Sequence, residues 1–232
     1  MSIHHKIIAI AVAAALGAPA AASAQAVGFT YLEAGIAGGF VNDVERSDRF
    51  GGSLGPLEVE TDADAGVFVG GAWQFAGNFH LFGDYWAGGQ ELEVSDAATT
   101  VTGDFDLVRW RIGVGYAYPF SETLAFYGRV SFDTLEFKDA RVAGFDVDIS
   151  ADEDGVGGEV GLVWAATQSL HLQGHVRYTP VGKVAERGAD AFDSDVLVGV
   201  NGRWYFRPNI ALVAGYELGK ITTLNAGLRL AF

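Results

Sequence analysis

Few side chains in this chain can move a proton near neutral pH. Histidine is the residue suited to that work, and beyond residue 24 only His80, His171 and His175 occur. The one pairing with a carboxylate within reach is His175 with Glu159. No histidine is followed two residues later by serine, and the chain has no cysteine. A nucleophile with its base, a glycine-rich phosphate loop and a zinc ligand spacing are all missing from the pattern. Carboxylates are plentiful and alternate: Glu58, Glu60, Asp62 and Asp64; Glu91 and Glu93; Asp104 and Asp106; Asp146, Asp148, Asp152 and Asp154. Hard cations favour such oxygen clusters. Asp146, Asp148, Ser150 and Asp152 start like a calcium loop, but Ala151 stands where the loop needs glycine and Gly157 where it needs glutamate. The reading is therefore no catalytic residue, no cofactor site and no metal site, with a solvated acidic rim on one hand and a divalent-cation rim on the other.

A second set of charged residues alternates with apolar ones rather than with other charges. Val108, Trp110, Ile112, Val114, Tyr116 and Tyr118 interleave with Arg109, Arg111, Gly113, Gly115 and Ala117. Leu170, Leu172, Val176 and Tyr178 interleave with His171, Gln173, His175 and Arg177, and Val196, Val198, Val200, Trp204 and Phe206 with Asn201, Arg203 and Tyr205. A two-residue period is a β-strand with two unlike faces. Collected over the chain, the polar phase carries Arg109, Arg111, Arg129, Arg177, Arg203 and Arg229 against Glu33, Asp84, Asp133, Glu159 and Glu217, with His175 among them. Arginines flanked by glycine and alanine suit a crowded enclosed space. That space reads as a packed electrostatic plug or as a narrow polar channel. Interior glycines at 113, 115, 157, 161, 215, 219 and 227 would leave it some room.

Turn residues punctuate the strands. Ala76-Gly77-Asn78, Pro119-Phe120-Ser121-Glu122, Thr167-Gln168-Ser169 and Arg207-Pro208-Asn209 are tight, and Ile221-Thr222 makes a fifth short connection. Longer acidic stretches lie near 41–64, 95–103, 138–153 and 182–193. Short turns at one end and long loops at the other are the asymmetry of a membrane β-barrel. The expected strands are 28–40, 65–75, 79–94, 104–118, 123–137, 154–166, 170–181, 194–206, 210–220 and 223–232, ten in all, with eight as the alternative. The fold class is all-β, an antiparallel up-and-down barrel.

Aromatic residues on the apolar phase sort by strand end. Trp73, Phe75, Tyr116, Tyr118, Trp164, Trp204, Phe206 and Phe232 fall at the turn end; Tyr85, Trp110, Phe132, Tyr178 and Tyr216 fall toward the loop end. Trp110 and Tyr118 would stand roughly 20 Å apart in height, close to the ~25 Å apolar band of such barrels. Rings with one polar edge favour the two membrane interfaces. A soluble sandwich has no reason to sort them.

Composition agrees. Half the chain is hydrophobic and glycine reaches 32 residues, yet no stretch approaches the ~18 apolar residues of a membrane helix. His4, His5 and Lys6, the apolar run Ile7 to Leu16 and the small Ala22-Ser23-Ala24 read as a cleaved signal peptide, 1–24, leaving 25–232 as one domain. Loss of Lys6 takes the formal charge from −14 to −15, which argues against a nucleic-acid partner.

The last nine residues complete the pattern. Leu224, Ala226, Leu228, Leu230 and Phe232 alternate with Asn225, Gly227 and Arg229. The stretch resembles the C-terminal signal by which outer-membrane β-barrels are recognised for insertion. With the hairpin Arg203 to Leu212, the chain resembles the small outer-membrane barrels of the OmpA/OmpX type, departing from them in strand count, since those have eight. The resemblance implies an outer-membrane location, lipopolysaccharide and lipid around a monomeric barrel, and periplasmic chaperones and the barrel assembly machinery as partners. It implies a structural or surface-contact role through 41–64 and 138–153, or a small porin-like channel. An outer-membrane enzyme acting on lipid or peptide is the distant third, because such enzymes need a histidine at the extracellular rim and none of these three reaches it.

Overall fold

The structure, a computed structural model, describes residues 27–41, 58–95, 100–143, 145–146, 152–181, 195–219 and 221–232. The expected signal peptide and most of 41–57 and 182–194 lie outside these residues. No helix occurs among the described residues. Twelve strands do: β1 (Tyr31–Val41), β2 (Glu58–Ala63), β3 (Gly66–Ala76), β4 (Phe79–Ser95), β5 (Thr100–Pro119), β6 (Leu124–Val142), β7 (Phe145–Asp146), β8 (Asp152–Ala165), β9 (Leu170–Tyr178), β10 (Val196–Arg207), β11 (Ile210–Leu218) and β12 (Ile221–Ala231).

Ten of them close a ring. Each pairs antiparallel with its chain neighbours in the order β1, β3, β4, β5, β6, β8, β9, β10, β11, β12. The seam is β1 on β12, in register from Tyr31 opposite Ala231 to Val41 opposite Ile221. Closure matters because hydrocarbon offers no partner for an exposed backbone group, so a spanning sheet must have no edge. The ten-strand barrel is the expected fold, and eight is set aside.

The tight turns are built by their own residues. Gly77 adopts a positive φ of 55°, the left-handed region where glycine carries no Cβ penalty. At the next two turns a hydroxyl caps the backbone. Ser121 Oγ accepts from the Thr123 and Leu124 N–H groups at 3.2 and 3.1 Å, and Thr167 Oγ1 accepts from those of Ser169 and Leu170 at 3.2 and 2.9 Å.

Strand length is uneven. β9 and β11 have 9 residues each, enough to cross a bilayer when tilted, whereas β4, β5 and β6 have 17, 20 and 19. Their surplus lies at the loop end. There β2 pairs the extension of β4 and β7 pairs that of β6. Residues 58–63 fall in the long polar connection 41–64, where the alternating acids point to strand running past the membrane, and the β4 extension supplies the partner. Its register sets acid opposite acid: Glu60 faces Glu93, Asp62 faces Glu91, and Glu91 faces Asp104 on the other side. Like charges opposite one another weaken a sheet, which is tolerable only in water.

Within the ring the two phases separate. On β10, Val196, Val198, Val200, Trp204 and Phe206 are exposed while Leu197 and Arg203 are buried. Val114 on β5 and Leu228 on β12, on the outward phase, are 52% and 53% exposed. Val114→Arg and Leu228→Arg should each cost about 2–4 kcal/mol near the midplane. Urea unfolding in lipid vesicles measures this; wild-type stability in both variants would refute the register.

Candidate functional site

The inward phase places charges side by side along the hydrogen-bonded rows of the sheet. One row runs Arg229, Glu33, Gly70, Asp84, Arg111, Asp133 across β12, β1, β3, β4, β5 and β6. A second runs His80, Gly115, Arg129, Glu159, Arg177, Leu197 across β4, β5, β6, β8, β9 and β10. A third runs Tyr127, Gly161, His175, Gly199, Glu217, Thr223 from β6 to β12.

Large side chains in these rows stand beside glycines. A Cβ on Gly115 would run into the His80 ring, one on Gly161 into the Tyr127 hydroxyl at 2.6 Å, one on Gly199 into the His175 ring, and one on Gly215 into the Asn201 and Asn225 amides. The expectation that interior glycines leave room is therefore corrected. At 115, 157, 161, 215 and 219 a side chain of the neighbouring strand takes the gap, and at 113 and 227 the partner strand's backbone stands nearest.

Most of the charges are brought into ion pairs. Glu33 holds Arg229 at 2.5 Å. Asp84 takes Arg111 at 2.7 Å, and the same guanidinium reaches Glu159 at 3.0 Å. Glu159 also receives Arg129 at 3.4 Å and the Tyr127 hydroxyl at 2.8 Å. Glu217 accepts from Arg177 through Nε at 3.1 Å and through Nη2, and faces Arg109 at 3.5 Å. Shared partners suit buried ions, since a lone one is costly to desolvate. Two expected members stand apart. Asp133 is fully buried yet among the described residues takes only the Ser131 hydroxyl at 2.5 Å, because Arg111 beside it in register turns to Asp84 and Glu159. Arg203 is bonded by Gln173.

The expected proton-transfer pair is also corrected. His175 Nε2 lies 3.0 Å from Glu217, not against Glu159. In the sheet His175 sits opposite Gly161 and Gly199, so it reaches past Gly199 to β11, while Glu159 is occupied by two arginines and a tyrosine. His80 accepts from Arg129 Nε at 3.1 Å and stacks on Phe29 at 4.7 Å. His171 is buried beside Tyr205. None is presented to substrate with a free base. Among the described residues no group of three His, Cys, Asp or Glu can hold a metal ion.

Sequence reasoning missed the apolar part of the interior. Toward the loop end Phe68, Trp86, Leu107, Leu135, Val181 and Ile221 form one buried cluster. Toward the turn end Phe29, Ala117, Ala125, Tyr127 and Val163 form another, Phe29 entering from the segment before β1. The charged rows lie between them. Arginine planes also rest on rings: Arg129 Cζ is 4.5 Å from the Phe82 centroid and 4.9 Å from that of Tyr127, and Arg229 Cζ is 3.5 Å from that of Tyr31. Parity was the available signal. Phe82 and Trp86 share the phase of His80 and Asp84, and Tyr127 that of Arg129. A cavity of about 130 Å³ remains among the charged groups.

The ring residues assigned to the two belts are on the outer phase. Trp73, Phe75, Tyr116, Tyr118, Phe132, Trp164, Tyr178, Trp204, Phe206, Tyr216 and Phe232 are exposed; Tyr85 and Trp110 are half-buried. Trp110 donates to Glu136 at 3.4 Å.

Removing one carboxylate should strand its cations. Glu217→Gln leaves Arg177 buried without its partner and should cost about 3–5 kcal/mol. Glu122→Gln, in an exposed turn, should stay within about 0.5 kcal/mol. Urea unfolding of both in the same vesicles checks the contrast.

The sequence model of the family described as outer membrane protein beta-barrel domain matches residues 8–227. Among solved structures the fold is similar to the outer membrane protein OprG from Pseudomonas aeruginosa, at 13% identity and a TM-score of 0.51, covering 87% of this chain and 94% of that one. It also matches the translocator domain of the autotransporter NalP from Neisseria meningitidis, at 12% identity and a TM-score of 0.49, covering 99% and 96%. The KdgM porin matches at 9% identity and a TM-score of 0.42, covering 87% and 99%. No curated protein sequence matches the chain significantly.

Proposed function

This chain belongs to the outer membrane protein beta-barrel domain family, and we propose from that premise that it is a closed wall element of the outer membrane whose role is structural or surface contact. The observation that carries the reading is the layered interior. A band of ion pairs lies between two apolar clusters, and the glycines beside its large groups have no space left. A barrel near eight strands fills itself with side chains, whereas sixteen or more leave a channel; ten stands near the filled end. The work is then left to the outside. The acidic extensions of β4, β5 and β6 and the segments 41–64 and 138–153 meet the medium, and the aromatic wall meets lipopolysaccharide and lipid. The alternating 224–232 segment is what periplasmic chaperones and the assembly machinery would read, and the barrel stands as a monomer. The paired histidines favour no enzyme.

A porin-like channel is the competing reading, and the central cavity of about 130 Å³ is the observation in its favour. Planar-bilayer recording separates the two. The closed reading predicts no conductance steps from refolded protein and none from Arg111→Ala, because the apolar clusters persist. Discrete steps that grow in Arg111→Ala would establish the channel instead. Trimming 42–57 and 147–151, within the two contact segments, should abolish surface contact while leaving refolding intact.

A further inference from the structure

One buried cation in the lumen has no counter-charge. Arg203 on β10 is only 7% exposed, and its guanidinium hydrogen-bonds the side-chain oxygen of Gln173, a neutral group. Among the described residues no carboxylate comes within ion-pair distance of it, whereas Arg229 has Glu33 and Arg129 has Glu159. Its row neighbours are His171 and Val213. The central cavity opens beside it. Five arginines (109, 111, 129, 203 and 229) line that cavity against four carboxylates (Glu33, Asp84, Glu159 and Glu217). Glu217 is further drawn on by Arg177. With Arg177 the count is six arginines against four carboxylates, and of the six only Arg203 is without a carboxylate partner among the described residues. A guanidinium presents five N–H donors and cannot shed its charge; Gln173 satisfies one direction only. Burying such a group without a partner is expensive, and 130 Å³ has space for a small ion with a few waters.

We propose that this cavity binds one small monovalent anion of the chloride type, held by the Arg203 N–H groups that Gln173 does not take, with Arg129 and Arg229 adding to the positive field. The site goes beyond the closed-wall reading and does not depend on it, since a conducting barrel would have the same uncompensated arginine. Its role is to complete the interior charge balance. The folded state binds the anion and the unfolded chain does not, so the anion stabilises by mass action.

The test uses refolded protein in detergent micelles at fixed ionic strength, with sodium chloride replaced stepwise by sodium gluconate, whose anion is too large for the cavity. The urea midpoint of the wild type should climb with the logarithm of chloride concentration. Gln173→Glu places a carboxylate on Arg203 with almost no change of shape, giving up the Gln173 Nε2 donation to the Tyr127 hydroxyl at 2.6 Å. That variant should show the same midpoint in both salts. A wild type indifferent to the choice of anion would overturn the proposal, as would an equal chloride response in Gln173→Glu, which would mark a general salt effect. Should that variant not refold, crystals of the wild type grown in sodium bromide decide the matter. An anomalous bromide peak at hydrogen-bonding distance from the Arg203 guanidinium is expected, and an ordered Arg203 with no peak beside it would refute the site.

Discussion

The constraint on which everything else rests is that hydrocarbon cannot hydrogen-bond a peptide group. A sheet that spans it must close on itself, and β1 therefore meets β12 over eleven residues, from Tyr31 with Ala231 to Val41 with Ile221. Closure then forces a strict division. Because side chains alternate, whatever a strand needs for lipid occupies one phase, and whatever is left points into an enclosed space the width of ten strands. That space must be filled by groups compatible with one another.

The filling follows from strand spacing. Where an inward glycine stands beside a large group, that group leans over it, as His80, Tyr127, His175, Asn201 and Asn225 do over Gly115, Gly161, Gly199 and Gly215. Long arginines then reach across the lumen to carboxylates several strands away, as Arg109 does to Glu217 and Arg111 to Glu159. The ion pairs are cooperative in arrangement: Glu159 and Glu217 each serve more than one cation. On the closed-wall reading, apolar clusters at both ends would keep water from competing with them, and low dielectric would strengthen each pair. On this reading the interior is a core turned inside out, polar at its centre and greasy at its caps.

Much of this was legible in the chain. The alternation located ten strands to within a few residues, and the tight turns and long acidic connections gave the two ends of an outer-membrane barrel. Parity named the lumen charges, because arginine and glutamate on one phase of a lipid-facing strand have nowhere else to go. What parity could not give was partnership. His175 and Glu159 lie on adjoining strands, yet in the sheet Glu159 stands opposite Arg177 and Arg129, and the histidine turns to Glu217. Register and reach decide such pairings, and neither is written locally. The inward aromatics were missed for a different reason. Sorting residues by type assigns Phe82, Trp86 and Tyr127 to lipid, while sorting by phase assigns them to the lumen. The alternating acids of 58–64 are consistent with strand running past the membrane; what the sequence could not supply is the partner, the long β4.

The central claim is that side chains along each strand point alternately to lipid and to a closed interior. Because the chain has no cysteine, single cysteines along β11 report it directly. Refolded into vesicles, Leu212→Cys, Ala214→Cys and Tyr216→Cys should react with a lipid-soluble maleimide and not with a charged, water-soluble one, while Ala211→Cys and Val213→Cys should resist both. Labelling of the inward pair by the charged reagent would contradict a closed lumen, and labelling of the outward three by it would contradict the membrane register altogether.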